Sequence, residues 1–162
     1  MKSNLVVALL VVAAISVIGV MGYQSLGKKD RVETLSEANG ISATLYKSPS
    51  CGCCGEYTAY LDGEGYEVDV KLEPDMSAVK EQFSIPYELE SCHTMEVDGY
   101  VVEGHVPEAA IEKLLTERPD IKGIGMGGMP SGSPGMPGPK NGEFVIYEIN
   151  KDGTKGAVFT TI

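Results

Sequence analysis

Residues 42–120 of this 162-residue chain are predicted to form an α/β domain of element order β-α-β-α-β-β-α. Three observations predict it. SATLYK (42–47) and YEVDVKL (66–72) alternate apolar and polar residues and are rich in β-formers, as half-buried strands are. Each is followed by apolar residues at helical spacing. Further along, TMEV and YVVE flank Asp98-Gly99, the dipeptide favoured in two-residue type I′ hairpin turns.

The first helix places Tyr57, Tyr60 and Leu61 on one face, and Gly63 and Gly65 close it. After the second strand, Pro74 and Asp75 open a helix that runs through Phe83, with Asp75 as N-cap and Val79 and Phe83 on a common face. Ser84-Ile85-Pro86 starts a further short turn or helix. In the hairpin a two-residue turn makes residues whose numbers sum to 197 face each other, so Val97 pairs with Tyr100 and Cys92 falls opposite His105. Pro107 at a first helical position starts the last helix, which carries Ile111, Leu114 and Leu115 on one face and stops before Pro119. This is the thioredoxin-like order of elements.

The flanks differ from this domain. Lys2 precedes an apolar run from Leu5 to Tyr23, 19 residues long. Signal-peptide cores span about 7–15 residues, and about 20 cross a bilayer as a helix. Residues 1–23 therefore read as a signal anchor in preference to a cleaved signal peptide, and membrane attachment through residues 5–23 is expected, with the remainder exported. The expected location is periplasmic or extracytoplasmic, anchored to the inner membrane. Residues 24–41 are polar and unpatterned, a linker. Residues 121–142, IKGIGMGGMPSGSPGMPGPKNG, are too rich in turn formers for regular structure. Residues 143–162 read as a terminal β-hairpin, EFVIYEI and GAVFTTI around Asn150 to Gly153. From residue 24 onward 12 basic side chains stand against 23 acidic ones. So acidic a chain repels a phosphate backbone, which excludes nucleic acid as a partner.

The chemistry is concentrated in SPSCGCCGEY (48–57), which holds three of the four cysteines. It lies where the first strand meets the first helix. A helix start leaves N–H groups free and carries positive potential, which favours thiolates. With Ser50 as N-cap, Cys51, Cys53 and Cys54 all sit in the first turn. Cys51 and Cys54 form a C-x-x-C pair, and Cys53 projects about a third of a turn away. The fourth thiol, Cys92, has His93 beside it and His105 across the hairpin, although the strand register puts the two histidines on opposite faces. Three chemistries are open to this set. Disulfides are one, in an exported chain with an even cysteine count; Cys51–Cys54 with Cys53–Cys92 is one such pairing. Thiol–disulfide exchange through Cys51 and Cys54 is another. Metal binding is the reading preferred here, because four thiols and two imidazoles make a soft ligand set that suits Cu(I) best and zinc second. Met126, Met129 and Met136 add thioethers in a segment too polar for an ordinary core, either as further ligands or as part of a cover over the cysteines. Met95 reads as core.

The motifs SPSCGCCG, SCHT (91–94), DGYVVEGHVP (98–107) and GMPSGSPGM (128–136), in this order, resemble the small periplasmic copper-resistance proteins of the CopG-like family, long described as a domain of unknown function and unrelated to the ribbon-helix-helix repressor of the same name. The resemblance spans roughly residues 42–140 and implies a thioredoxin-like fold that binds several Cu(I) ions through bridging thiolates. By motif it carries over Cys51, Cys53, Cys54 and Cys92 as ligands and His93 and His105 as site residues. It implies a role in copper resistance or homeostasis, with copper ions as cargo and a copper-transfer protein as a candidate partner. The anchor-like N-terminus and the C-terminal hairpin lie outside it.

Overall fold

A computed structural model describes residues 40–162. The expected signal anchor and all of the expected linker but Gly40 and Ile41 lie outside the described residues, and Ile41 already belongs to the first strand. No helix among the described residues is long and apolar enough to cross a membrane. The elements are β1 (Ile41–Lys47), α1 (Gly52–Gly63), β2 (Tyr66–Leu72), α2 (Met76–Gln82), a 3₁₀ turn at Tyr87–Leu89, β3 (His93–Val97), β4 (Tyr100–Glu103), α3 (Glu108–Glu117), β5 (Gly123–Gly125), β6 (Val145–Ile149) and β7 (Lys155–Thr161). The first seven helices and strands follow the predicted order.

The seven strands of the described residues join one mixed sheet of order β2-β1-β3-β4-β5-β6-β7. β1 runs parallel to β2, and β4 parallel to β5. A parallel neighbour needs a crossover, and α1 and α3 supply the two crossovers. β3 is antiparallel to both β1 and β4, with Val97 opposite Tyr100 as the Asp98-Gly99 turn requires. Asp75 caps α2 as expected, its carboxylate accepting from the N–H groups of Ser77 and Ala78.

Alternation along the strands separates two cores. Ala43, Leu45, Met95, Val97, Val102 and Ile124 pack with Tyr57 and Leu61 of α1 and Ile111 and Leu114 of α3. Val101 and Ile149 pack with Ile85 and Leu89 in a smaller cluster. Burying a leucine or isoleucine of this kind stabilises the fold by about 1.5–3 kcal/mol, so the α1 and α3 faces anchor both crossovers.

Three expectations are corrected. α1 begins at Gly52, and its N-cap is Cys51, with no side-chain cap bond; the Ser50 hydroxyl is turned to the Ser48 hydroxyl instead. Pro107 is the N-cap of α3 and not its first helical residue. The segment 121–142 does contain regular structure, because Gly123–Gly125 pairs with both β4 and β6. Two of those three residues are glycines, which propensity assigns to turns. The reason lies in the close approach of two backbones: a Cβ on Gly123 would sit 1.9 Å from the Val101 carbonyl oxygen. The terminal strands β6 and β7 are antiparallel, as expected, and β5 splices them into the main sheet.

Candidate metal centre

Four chain segments meet at one end of the sheet. β1 ends at Lys47 and runs into the cysteine loop; β3 begins there, since His93 pairs with Lys47; β4 and β5 end at Glu103 and Gly125. The loop after β1 is closed by the Cys51 N–H donating to the Ser48 carbonyl at 3.1 Å. The Lys47 ammonium donates to the Cys51 carbonyl at 2.9 Å. One helical turn then brings Cys51 and Cys54 together, and they are joined as a disulfide. Cys53 and Cys92 are free thiols, both half-buried. The Cys92 sulfur lies 3.4 Å from that of Cys54 and 3.8 Å from that of Cys53, and the Cys51 and Cys53 sulfurs are 3.6 Å apart. All four sulfurs fall within 4.8 Å of one another.

A second donor group shares Cys92. Its sulfur is 3.0 Å from His105 Nε2 and 3.5 Å from His93 Nδ1. The histidines are thus on the same side of the sheet, their ring centroids 4.8 Å apart, against the expectation of opposite faces. Gly104 is the cause. Its φ of +80°, a left-handed conformation open to glycine, turns the chain after β4 and breaks the alternation that a continuous strand would impose. His105 Nδ1 lies 2.7 Å from the Pro134 carbonyl. A carbonyl only accepts, so Nδ1 carries the proton and Nε2 presents a lone pair to Cys92. Met126, by contrast, is buried in the main core. Met129 is exposed, Met136 half-buried, and Met95 is core, as expected. The contact through Pro134 makes the Met-rich segment a cover over the histidine side of the site.

Burial sets the electrostatics. The Cys92 thiol is pushed up to about 12, first by burial and then by the neighbouring Cys53. His93 is held well below its ordinary value by burial, with His105 and Lys80 adding repulsion, and His105 is lowered by burial as well. Both imidazoles are therefore neutral at pH 7 and available as donors. The Tyr57 ring lies 4.6 Å from that of His93, and its hydroxyl donates to the Val106 carbonyl at 2.8 Å. His93 Nε2 is buried with no hydrogen-bond partner among the described residues, a cost normally avoided. Depressed histidine values carry a stability consequence. The unfolded chain takes up protons near pH 6.5 that the folded chain refuses, so stability is full above that pH and falls as acid is added. The thermal midpoint of the metal-free chain should drop between about pH 6.5 and 5, and His93→Phe should make that drop shallower; equal pH profiles for the two would contradict this account.

Sequence reasoning missed Lys80 and Glu103, which lie behind the site and are both buried. A charged residue at an inward strand position was the available signal.

Two solved structures, titled copper resistance protein CopG, forms 1 and 2, share 38% identity with the chain over 76% of its length. The match takes in 98% and 99% of those chains, at TM-scores of 0.69 and 0.70. The chain belongs to the CopG copper-resistance family. A family model described as a protein of unknown function, DUF411, matches residues 89–136, which cover Cys92, both histidines and the Met-rich segment of this CopG relative. No curated protein matches the chain.

Proposed function

We propose that this chain is an exported copper-binding protein that holds Cu(I) through Cys51, Cys53, Cys54 and Cys92, with His93 and His105 as further donors, in copper resistance or homeostasis. One observation carries the reading: four sulfurs within 4.8 Å of one another, one of them shared with two neutral imidazoles. Thiolates can each bridge two soft cations, and so crowded a set suits several Cu(I) ions better than one tetrahedral zinc, which remains the second choice. The name of the CopG relatives supports copper as the cargo. Loading requires an external dithiol to pass two electrons and two protons to the Cys51–Cys54 disulfide, itself becoming a disulfide, after which incoming copper displaces the thiol protons.

The strand order β2-β1-β3-β4 and its directions support reading this part as thioredoxin-like. The apolar run at 5–23 supports export and anchoring to the inner membrane, with a copper-transfer protein as partner. The Cys51–Cys54 disulfide favours one other reading, a thiol–disulfide oxidoreductase. In it the reduced Cys51 thiolate would attack a substrate disulfide, and Cys54 would resolve the mixed disulfide and close the Cys51–Cys54 bond. Cys53 and Cys92 have no part in such an exchange, and their place beside the pair weighs for metal.

Anaerobic Cu(I) titration of the reduced full-length chain against a competing chelator, with elemental analysis, tests the proposal. More than one tightly held copper per chain is expected. If the chelator strips all copper, the proposal fails and the C-x-x-C pair is left as the active feature.

A further inference from the structure

The residues that grip the Cys92 segment are not among the sulfur and nitrogen donors of the site. Glu103, the last residue of β4, is fully buried. Its Oε1 accepts from the Ser91 backbone N–H at 2.6 Å and from the Lys80 ammonium at 2.5 Å. Its Oε2 accepts from the Thr94 hydroxyl at 2.7 Å, and that hydroxyl accepts in turn from Lys80 at 3.0 Å. Ser91 and Thr94 bracket Cys92 and His93. One carboxylate thus holds both ends of the segment that presents a thiol and an imidazole to the site, and it stands two residues before the second imidazole, His105. A buried ion pair is poor evidence of a stability gain, since well-packed apolar residues of the same volume often do as well. Its value here is geometric.

We propose that Glu103 is a positioning residue of the metal centre: through the Ser91 N–H and the Thr94 hydroxyl it sets where Cys92 and His93 stand, while Lys80 holds the carboxylate in place. The inference rests on the copper reading for its consequence. The clamp itself is made of protein groups alone. Without an acceptor, the Ser91 N–H is left unpaired in a half-buried position, and the first strand pairing that holds the segment is His93 against Lys47.

The test uses the reduced full-length chain and two double variants. In Lys80→Met/Glu103→Gln the charges go but the amide oxygen still accepts from Ser91, and the amide N–H₂ can donate to Thr94. In Lys80→Met/Glu103→Leu the acceptor goes as well. Two quantities are read: Cu(I) affinity against a competing chelator, and the alkylation rate of Cys92 relative to Cys53 in the metal-free protein. The leucine variant should lose about 10–100-fold in affinity, the range typical of groups that orient metal ligands, and its Cys92 should alkylate faster. The glutamine variant should stay within about threefold of the parent on both readings. Parent-like behaviour of a folded leucine variant overturns the proposal, as does a glutamine variant that falls equally far. If the leucine variant does not fold, Thr94→Val removes one tether alone; a weaker affinity and faster alkylation support the clamp, and no change in either overturns it. Failure of the parent to bind copper would count against the copper reading, and the alkylation rates would still decide the clamp.

Discussion

Cys92→Ser should lower Cu(I) affinity by more than about a hundredfold, on the order of 2.8 kcal/mol, and reduce the number of coppers bound. Cys92 belongs to both donor groups: its sulfur meets those of Cys53 and Cys54 on one side and the two imidazoles on the other. A serine hydroxyl is a hard donor that keeps its proton at neutral pH, so it replaces neither role. Cys53→Ser removes a sulfur from one group only, and its loss should be smaller. Competition titration with elemental analysis of the bound metal separates the two variants. Copper loading equal to the parent in Cys92→Ser would remove this residue, and with it the shared-ligand arrangement, from the site.

The second large effect is redox control of loading. With Cys51 and Cys54 joined as a disulfide, two of the four sulfurs have no charge to offer a metal, and Cys53 and Cys92 are the thiols left. The oxidised chain should bind at most about half the copper of the reduced chain, because a metal ligand must be the deprotonated thiolate. Its affinity should be lower by about a hundredfold or more, again on the order of 2.8 kcal/mol. Titrating parallel samples, one oxidised and one reduced with the reductant removed before metal is added, measures this. Cys51→Ser/Cys54→Ser should behave like the oxidised chain whatever the redox treatment. Equal loading of oxidised and reduced chains would place the metal away from the C-x-x-C pair.

Much of this site was legible because it is built from short-range features. A strand running into a cysteine-rich helix start, an Asp-Gly turn whose register brings Cys92 towards His105, and a soft set of sulfur and nitrogen donors can all be read within windows of a dozen residues. The aspartate cap of α2 and the apolar faces of α1 and α3 are local in the same sense. The four motifs of the CopG family are short as well, and so they could be recognised without coordinates.

The sequence alone thus determined the element order, the β3–β4 pairing and which side chains are chemically able to hold copper, because periodicity, capping and turn chemistry act over a few bonds. Only the tertiary structure decided the rest. Gly123–Gly125 is a strand because β4 and β6 flank it, and no local propensity makes it one. His105 joins His93 because a left-handed Gly104 turns the chain after β4. Met126 is core while Met129 faces solvent, although both lie in the same Gly/Pro-rich run. Glu103 reaches Ser91, Thr94 and Lys80 across 12, 9 and 23 residues. Contacts at such separations depend on which strands lie side by side, and that is settled when the whole apolar surface finds a common way to leave water.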